Sequence, residues 1–295
     1  MRSNFFKSKF RPFFVPLLTC TFFLCLYQVS IWGGLLPPSN GVTQFESNVI
    51  KAQRYVYQNQ SDSMVLVGSS LTDNIKPEYI VSNVTNLAMA GGASQTGLEV
   101  IKKRAVKPST LLVELNYTID RKVDAKLVDS LYDPVLYLSR LAFPMFREEY
   151  RPVSILVYYL KNRSKQQDKD KINNSELTEK EIGRLVEEGN KPLSEKREKT
   201  IRSEAEYIKN QLAELKQQGW RIVLFDVPGE ERVQNTKMYQ QSRSLMRSLF
   251  PKDSFEWLPE PPSKNWITSD GVHLVRSDAE EYALFLREQL LKKNS

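Results

Sequence analysis

Residues 64–72 read Met64-Val65-Leu66-Val67-Gly68-Ser69-Ser70-Leu71-Thr72. Four apolar residues in a row suit a strand buried on both faces, the habit of a parallel sheet. Glycine then breaks the run and hydroxyls follow, as where a strand gives way to a turn. Similar apolar runs recur at 84–89 (VTNLAM), 111–115 (LLVEL) and 222–227 (IVLFDV). Helical patterns lie between them. One covers 96–106. Another covers 199–218, with Ile201, Ala205, Ile208, Leu212 and Leu215 on one face and Gly219 placed to end it. Residues 279–292 read as a closing helix, with Tyr282, Phe285, Leu286 and Leu290 apolar. Strands alternating with helices specify an α/β fold, a parallel sheet with helices on both faces.

Upstream of this region the chain changes character. Residues 12–45 carry no charge, and within them 13–36 reads FFVPLLTCTFFLCLYQVSIWGGLL. Twenty-four residues at ~1.5 Å each reach about 36 Å, enough to cross a hydrocarbon core of about 30 Å. Arg2, Lys7, Lys9 and Arg11 precede the run without an acid among them. Cationic flanks stay in the cytoplasm, so the expected topology is a tail at 1–12, a signal anchor at 13–36 and an extracytoplasmic remainder. The apolar run is longer than a cleaved signal's core, and no A-x-A site follows it. Residues 37–60 read as a linker and lead-in helix, and 61–295 as one domain. Between 120 and 196 the strand–helix alternation breaks. An aromatic, proline-containing stretch and then a polar one of mixed charge suggest an inserted helical region.

Composition removes several function classes. Of 295 residues only two are Cys, Cys20 and Cys25, both inside the apolar run. No disulfide framework or cysteine-rich zinc module is available to the remainder. A single His excludes a multi-histidine metal centre, and no cofactor motif is present. The net charge is +7. Four of the 42 basic residues belong to the tail before the anchor, leaving 38 against 35 acids. That balance, with the expected compartment, argues against a nucleic-acid partner. A membrane surface or anionic polymer remains compatible, through clusters such as Lys102, Lys103, Arg104 and Lys107.

In a parallel sheet, sites gather beyond the C-terminal ends of the strands. There the sequence places Gly68-Ser69-Ser70, Ala90-Gly91-Gly92, Asn116 and, near the C-terminus, Asp270-Gly271-Val272-His273. A hydroxyl nucleophile needs a base within hydrogen-bond reach, and that base needs an acceptor to orient it. The only His stands three residues after an Asp, a spacing that lets the carboxylate bond Nδ1 and leaves Nε2 for a serine. An acyl-transfer intermediate also needs donors for its oxyanion. A serine N–H, a glycine N–H and an asparagine amide supply that chemistry.

These pieces, in this order, resemble the motif blocks of the SGNH (GDSL-type) hydrolase superfamily. The resemblance implies a flavodoxin-like three-layer α/β/α domain with Ser70 as nucleophile, His273 as base and Asp270 as its orienter. It implies an oxyanion hole made by Ser70, Gly91 and Asn116. The blocks run from about 64 to 274. Ser69 stands where the first block usually has Asp, Glu114 where the third usually has Gly, and Tyr117 follows Asn116 where Asp is common. A Gly-Ser-Ser first block behind a single anchor is similar to envelope members such as D-alanine transfer proteins and the alginate O-acetyltransferase group. Those work beside a polytopic membrane-bound acyltransferase. The implied function is O-acyl (acetyl) transfer to a cell-envelope glycan or exopolysaccharide. An esterase of the same superfamily is the alternative, and a non-catalytic adaptor of an acyltransferase complex is another. The presence of Ser, His and Asp together argues against the adaptor. Asn59, Asn83, Asn116, Asn162 and Asn173 begin N-x-S/T triplets, and a sugar on Asn116 would contradict its oxyanion role.

Overall fold

Val65, Leu66 and Val67 have no exposed surface. The strand they form lies inside a five-stranded parallel sheet. The computed structural model of the chain describes residues 5–58, 64–104, 109–165 and 175–292. In chain order, α1 (Phe5–Trp32) and α2 (Gln44–Tyr57) precede β1 (Met64–Val67) and the one-turn α3 (Ser70–Asp73). β2 (Val84–Asn86), α4 (Ser94–Lys103) and β3 (Thr110–Glu114) follow. Then come α5 (Ala125–Tyr132), α6 (Pro134–Ala142), α7 (Pro152–Lys165), α8 (Ser175–Gly189) and α9 (Glu195–Gln217). β4 (Arg221–Phe225), α10 (Glu231–Gln234), α11 (Lys237–Leu249), β5 (Glu256–Trp257) and α12 (Arg276–Lys292) close the chain.

The sheet order is β2-β1-β3-β4-β5, every neighbouring pair parallel. Side chains alternate across it. Met64, Leu66, Leu112, Val223 and Phe225 join Tyr282, Ala283 and Leu286 of α12 in one apolar cluster. On the other face α4 comes close: a Cβ on Gly97 would stand 2.8 Å from Val67 Cγ1 and 3.0 Å from Leu87 O. Beside α4 lies α9, burying Ile201, Ala205, Ile208, Leu212 and Leu215. The sheet is therefore covered on both faces, as its unbroken apolar runs require.

Boundaries differ from the sequence reading for local reasons. α9 begins at Glu195, not 199, because the Ser194 hydroxyl accepts from Arg197 N and caps it. It ends at Gly219, whose φ is +94°, with Trp220 N donating to Leu215 O and Gly219 N to Lys216 O. That pairing satisfies the last carbonyls in a Schellman turn. β2 stops at Asn86, short of 89. The Asn86 amide donates to Thr72 O and Ile75 O while its carbonyl accepts from Ala88 N, bending the chain out of the ladder. β5 is two residues long, and no apolar run announces it. Residues 105 and 106 of the expected 96–106 helix lie outside the described residues, as do Arg2, Asn59, Lys107 and Asn173.

The chain divides into two units. One comprises 1–50 with 133–167, the other 51–132 with 168–295 and the whole sheet. Of the stretch 120–196, the part 133–167 thus belongs with the N-terminal residues. In the first unit Phe14–Trp32 has a mean hydropathy of 1.8 and only 11% of it is buried, so among the described residues one helix is long and apolar enough to span a membrane. It stops at paired glycines, where Gly34 has φ +69° and Leu35 N donates to Ser30 O. Near that end the Tyr27 hydroxyl donates to Tyr150 O, and Met145 N donates to Gln28 Oε1 at 3.1 Å.

Candidate active site

β1 runs out at Val67, and Gly68 turns the chain. A Cβ there would stand 2.3 Å from Glu114 Oε2 and 2.6 Å from Thr72 Oγ1, so only glycine fits. Ser69 caps α3 by accepting from Leu71 N at 3.2 Å. Ser70 is the first residue of that turn and is half-buried.

The far end of the chain brings in the only His. Asp270 Oδ1 accepts from His273 N at 2.8 Å and Val272 N at 3.2 Å. Those bonds fold Asp270-Gly271-Val272-His273 into a tight loop in which Gly271 takes φ +92°. Ser269 N donates to His273 O at 2.8 Å and closes its base. Asp270 Oδ2 lies 2.6 Å from His273 Nδ1, and His273 Nε2 lies 2.8 Å from Ser70 Oγ. Burial opposes ionisation of Asp270, but hydrogen bonds from the His273 side chain and backbone outweigh it and hold the carboxyl below its ordinary value. α8 braces this loop: Thr178 Oγ1 donates to Ser269 O, and a Cβ on Gly271 would meet Leu185 Cδ1 at 2.9 Å.

Asn116 follows β3 and is buried. Its carbonyl accepts from Thr118 N at 2.8 Å and Thr118 Oγ1 at 2.7 Å, which fixes the amide so that its nitrogen points the other way. That nitrogen donates to Glu114 Oε1 with one of its two hydrogens. Gly91 is exposed at φ +73°, in a turn closed by Gly92 N donating to Met89 O. The Gly92 N–H is thereby spent. The loop is held against the first block because Met89 N donates to Gly68 O at 2.9 Å. Ser70, Gly91 and Asn116 thus follow the ends of three adjacent strands, β1, β2 and β3.

Sequence reasoning noticed Glu114 only as a departure from pattern. In the structure it is the hub beneath the site, 3% exposed. Oε2 accepts from Ser69 N at 2.8 Å and Thr72 Oγ1 at 2.5 Å. Oε1 accepts from Ser69 Oγ at 2.8 Å and from the Asn116 amide. Glu114 O accepts from Ser94 Oγ, tying in the start of α4. Ser69 and Glu114 are therefore one paired feature: the carboxylate comes from β3 and the hydroxyl from the turn. Lys51 was also missed. Its Nζ donates to Asp73 Oδ1 and Ala88 O at 2.5 Å each and clamps α3 to the second loop.

Next to Asn116, at the end of β4, a further polar group is buried. Burial pushes Asp226 up to about 7 against the attraction of Arg243, whose Nε lies 3.6 Å from Oδ2. Asp226 Oδ1 and Arg247 Nη1 have no hydrogen-bond partner among the described residues. They line a cavity of about 10 Å³ with Asn116, Tyr117, Tyr239 and Arg243, about the space of one water. No group of three or more metal-ligating side chains occurs among the described residues.

No protein-family model matches the chain, and no curated protein matches it either.

Proposed function

We propose that the protein is a membrane-anchored serine acyl-transfer enzyme of the SGNH kind. The observation that carries this reading is the unbroken line from Ser70 Oγ through His273 to Asp270, with contacts of 2.8 and 2.6 Å. The sheet order 2-1-3-4-5 is that of flavodoxin-like doubly wound folds and supports the superfamily reading.

In the proposed mechanism His273 Nε2 accepts the Ser70 proton as Oγ attacks the carbonyl carbon of an acyl donor. Asp270 holds the ring in the tautomer with its proton on Nδ1 and stabilises the imidazolium that forms. The N–H groups of Ser70 and Gly91 and the second hydrogen of the Asn116 amide receive the oxyanion. The imidazolium returns its proton to the leaving group, and an acyl ester on Ser70 remains. His273 then deprotonates an acceptor hydroxyl, which attacks the ester and releases Ser70. With a sugar hydroxyl of an envelope glycan or exopolysaccharide the reaction is O-acetyl transfer, the reading we favour. A polytopic acyltransferase would supply the acyl group. The half-exposed Ser70 favours a second reading, hydrolysis, because water can reach the acyl ester. A non-catalytic adaptor is disfavoured by the complete triad. In the proposed topology α1 anchors the chain, the basic tail stays in the cytoplasm and the sheet unit lies outside.

A fluorophosphonate probe on the full chain tests the enzyme reading. An adduct on Ser70 that is absent in Ser70→Ala is expected; labelling that ignores Ser70 sinks the proposal. Acetyl release from p-nitrophenyl acetate with and without oligosaccharides separates the two outcomes. Acetylated sugar marks a transferase, and release indifferent to every acceptor marks an esterase.

A further inference from the structure

The sheet unit does not account for α6 and α7. α6 reads PVLYLSRLA and has no buried residue. Val135, Leu138, Val153 and Leu156 are 75%, 65%, 70% and 60% exposed. From Pro152 to Leu160 there is no charged residue. Exposed apolar area of this extent marks an interaction surface.

The geometry of α1 identifies what covers it. Residues 14–26 are exposed without exception, and burial begins at Tyr27 and Gln28. The uncharged part of α1 before Tyr27, residues 12–26, spans only about 22 Å, whereas a hydrocarbon core is about 30 Å thick. The balance of roughly 8 Å is what residues 27–32 supply at ~1.5 Å each. That is the part of α1 contacted by the turns Pro144–Phe146 and Glu148–Tyr150, through Tyr27 to Tyr150 O and Gln28 to Met145 N. Both hydrogen bonds satisfy polar groups that hydrocarbon would otherwise leave unpaired. The turns carry α6 on one side and α7 on the other. A helical segment at that depth matches the ~5–10 Å to which interfacial helices sink. Arg140 and the exposed Arg151, which pairs with Glu148, suit the headgroup layer above, while Arg147 is buried with its Nε donating to Arg140 O.

We propose that α6, α7 and the turns between them form a collar around the C-terminal end of α1 that lies within the bilayer interface, its apolar side chains against lipid acyl chains. The proposal rests on α1 being the membrane span. It assigns the protein a second membrane contact.

The test uses the full chain reconstituted in phosphatidylcholine–phosphatidylglycerol vesicles containing a phosphatidylcholine with a diazirine on its acyl chain. After irradiation, peptides are mapped by mass spectrometry. Adducts are expected in Phe14–Trp32 and in 134–160, with yields within about threefold of each other. The double variant Leu138→Glu, Leu156→Glu should lower adducts in 134–160 at least about tenfold and leave those in α1 unchanged. Adducts in α1 alone would overturn the collar and leave the anchor standing. Adducts in neither would remove the anchor, and the collar with it. Adducts in 134–160 that vanish as protein density rises would show that a second copy covers this surface, which also overturns the proposal.

Discussion

At the scale of single residues, the proposed reaction rests on Ser70, His273 and Asp270, and Glu114 holds the frame beneath them. Ser70→Ala should abolish probe labelling. Asp270→Asn should slow it by about 10²–10⁴-fold, since the ring then takes the wrong tautomer. The depressed Asp270 carboxyl has a signed consequence. Its stabilising contribution is complete above the ordinary carboxylate value and is lost as pH falls through its lowered one, so the loop loosens on acidification. All four donors around Glu114 need an acceptor, and Glu114→Gln would turn an NH₂ toward one of them. We expect a labelling rate lower by about 10–100-fold and a loss of roughly 1–3 kcal/mol in denaturant unfolding. If labelling is unchanged while stability falls, Glu114 is structural only. That Ser70, His273 and Asp270 would meet was legible in the sequence, because Asp-x-x-His is local and the only His leaves no competitor. The Glu114 hub was not legible. Its partners Ser69 and Thr72 lie 45 and 42 residues away, and nothing in a strand reading says which way a carboxylate turns.

At the scale of elements, short approaches decide. Gly97→Ala should push α4 off Val67 and Leu87, at a cost of about 1–3 kcal/mol seen as a lower melting temperature. The labelling rate per folded molecule should hold. Gly68→Ala, whose Cβ would strike Glu114, should instead lose labelling as well as stability. The contrast separates packing from site geometry. Apolar runs such as MVLV and LLVEL were readable because strands buried on both faces leave no room for polar residues. Glu114 is the exception within LLVEL, and it has four partners to compensate. β5 escaped notice because two residues carry no period. The true end of β2 depended on an Asn86 side chain bonding backward, a choice invisible to hydropathy.

At the scale of the whole molecule, the buried Asp226 predicts a pH trend. A carboxyl raised to about 7 holds its proton better folded than unfolded. Between roughly pH 4 and 7 the native state therefore binds more protons, and stability falls as pH rises. In thermal melts, the melting temperature of Asp226→Asn relative to the parent should climb across that window; a constant difference would refute the assignment. The full chain should stay with membranes after an alkaline carbonate wash, and its release would count against α1 as a span. The division into two units could not be foreseen, because the bond from Tyr27 joins residues 123 apart and the apolar character of 134–160 reads equally as core.

Ser70 and His273 are 203 residues apart. All five strands lie between the Ser70 turn and the His273 loop or directly against them, so the pair forms only once the sheet is complete. A chain still being synthesised carries Ser70 before His273 has been made. If the proposed enzyme reading holds, such a chain is chemically silent until the His273 loop folds, and the appearance of probe labelling at Ser70 times the last step of folding.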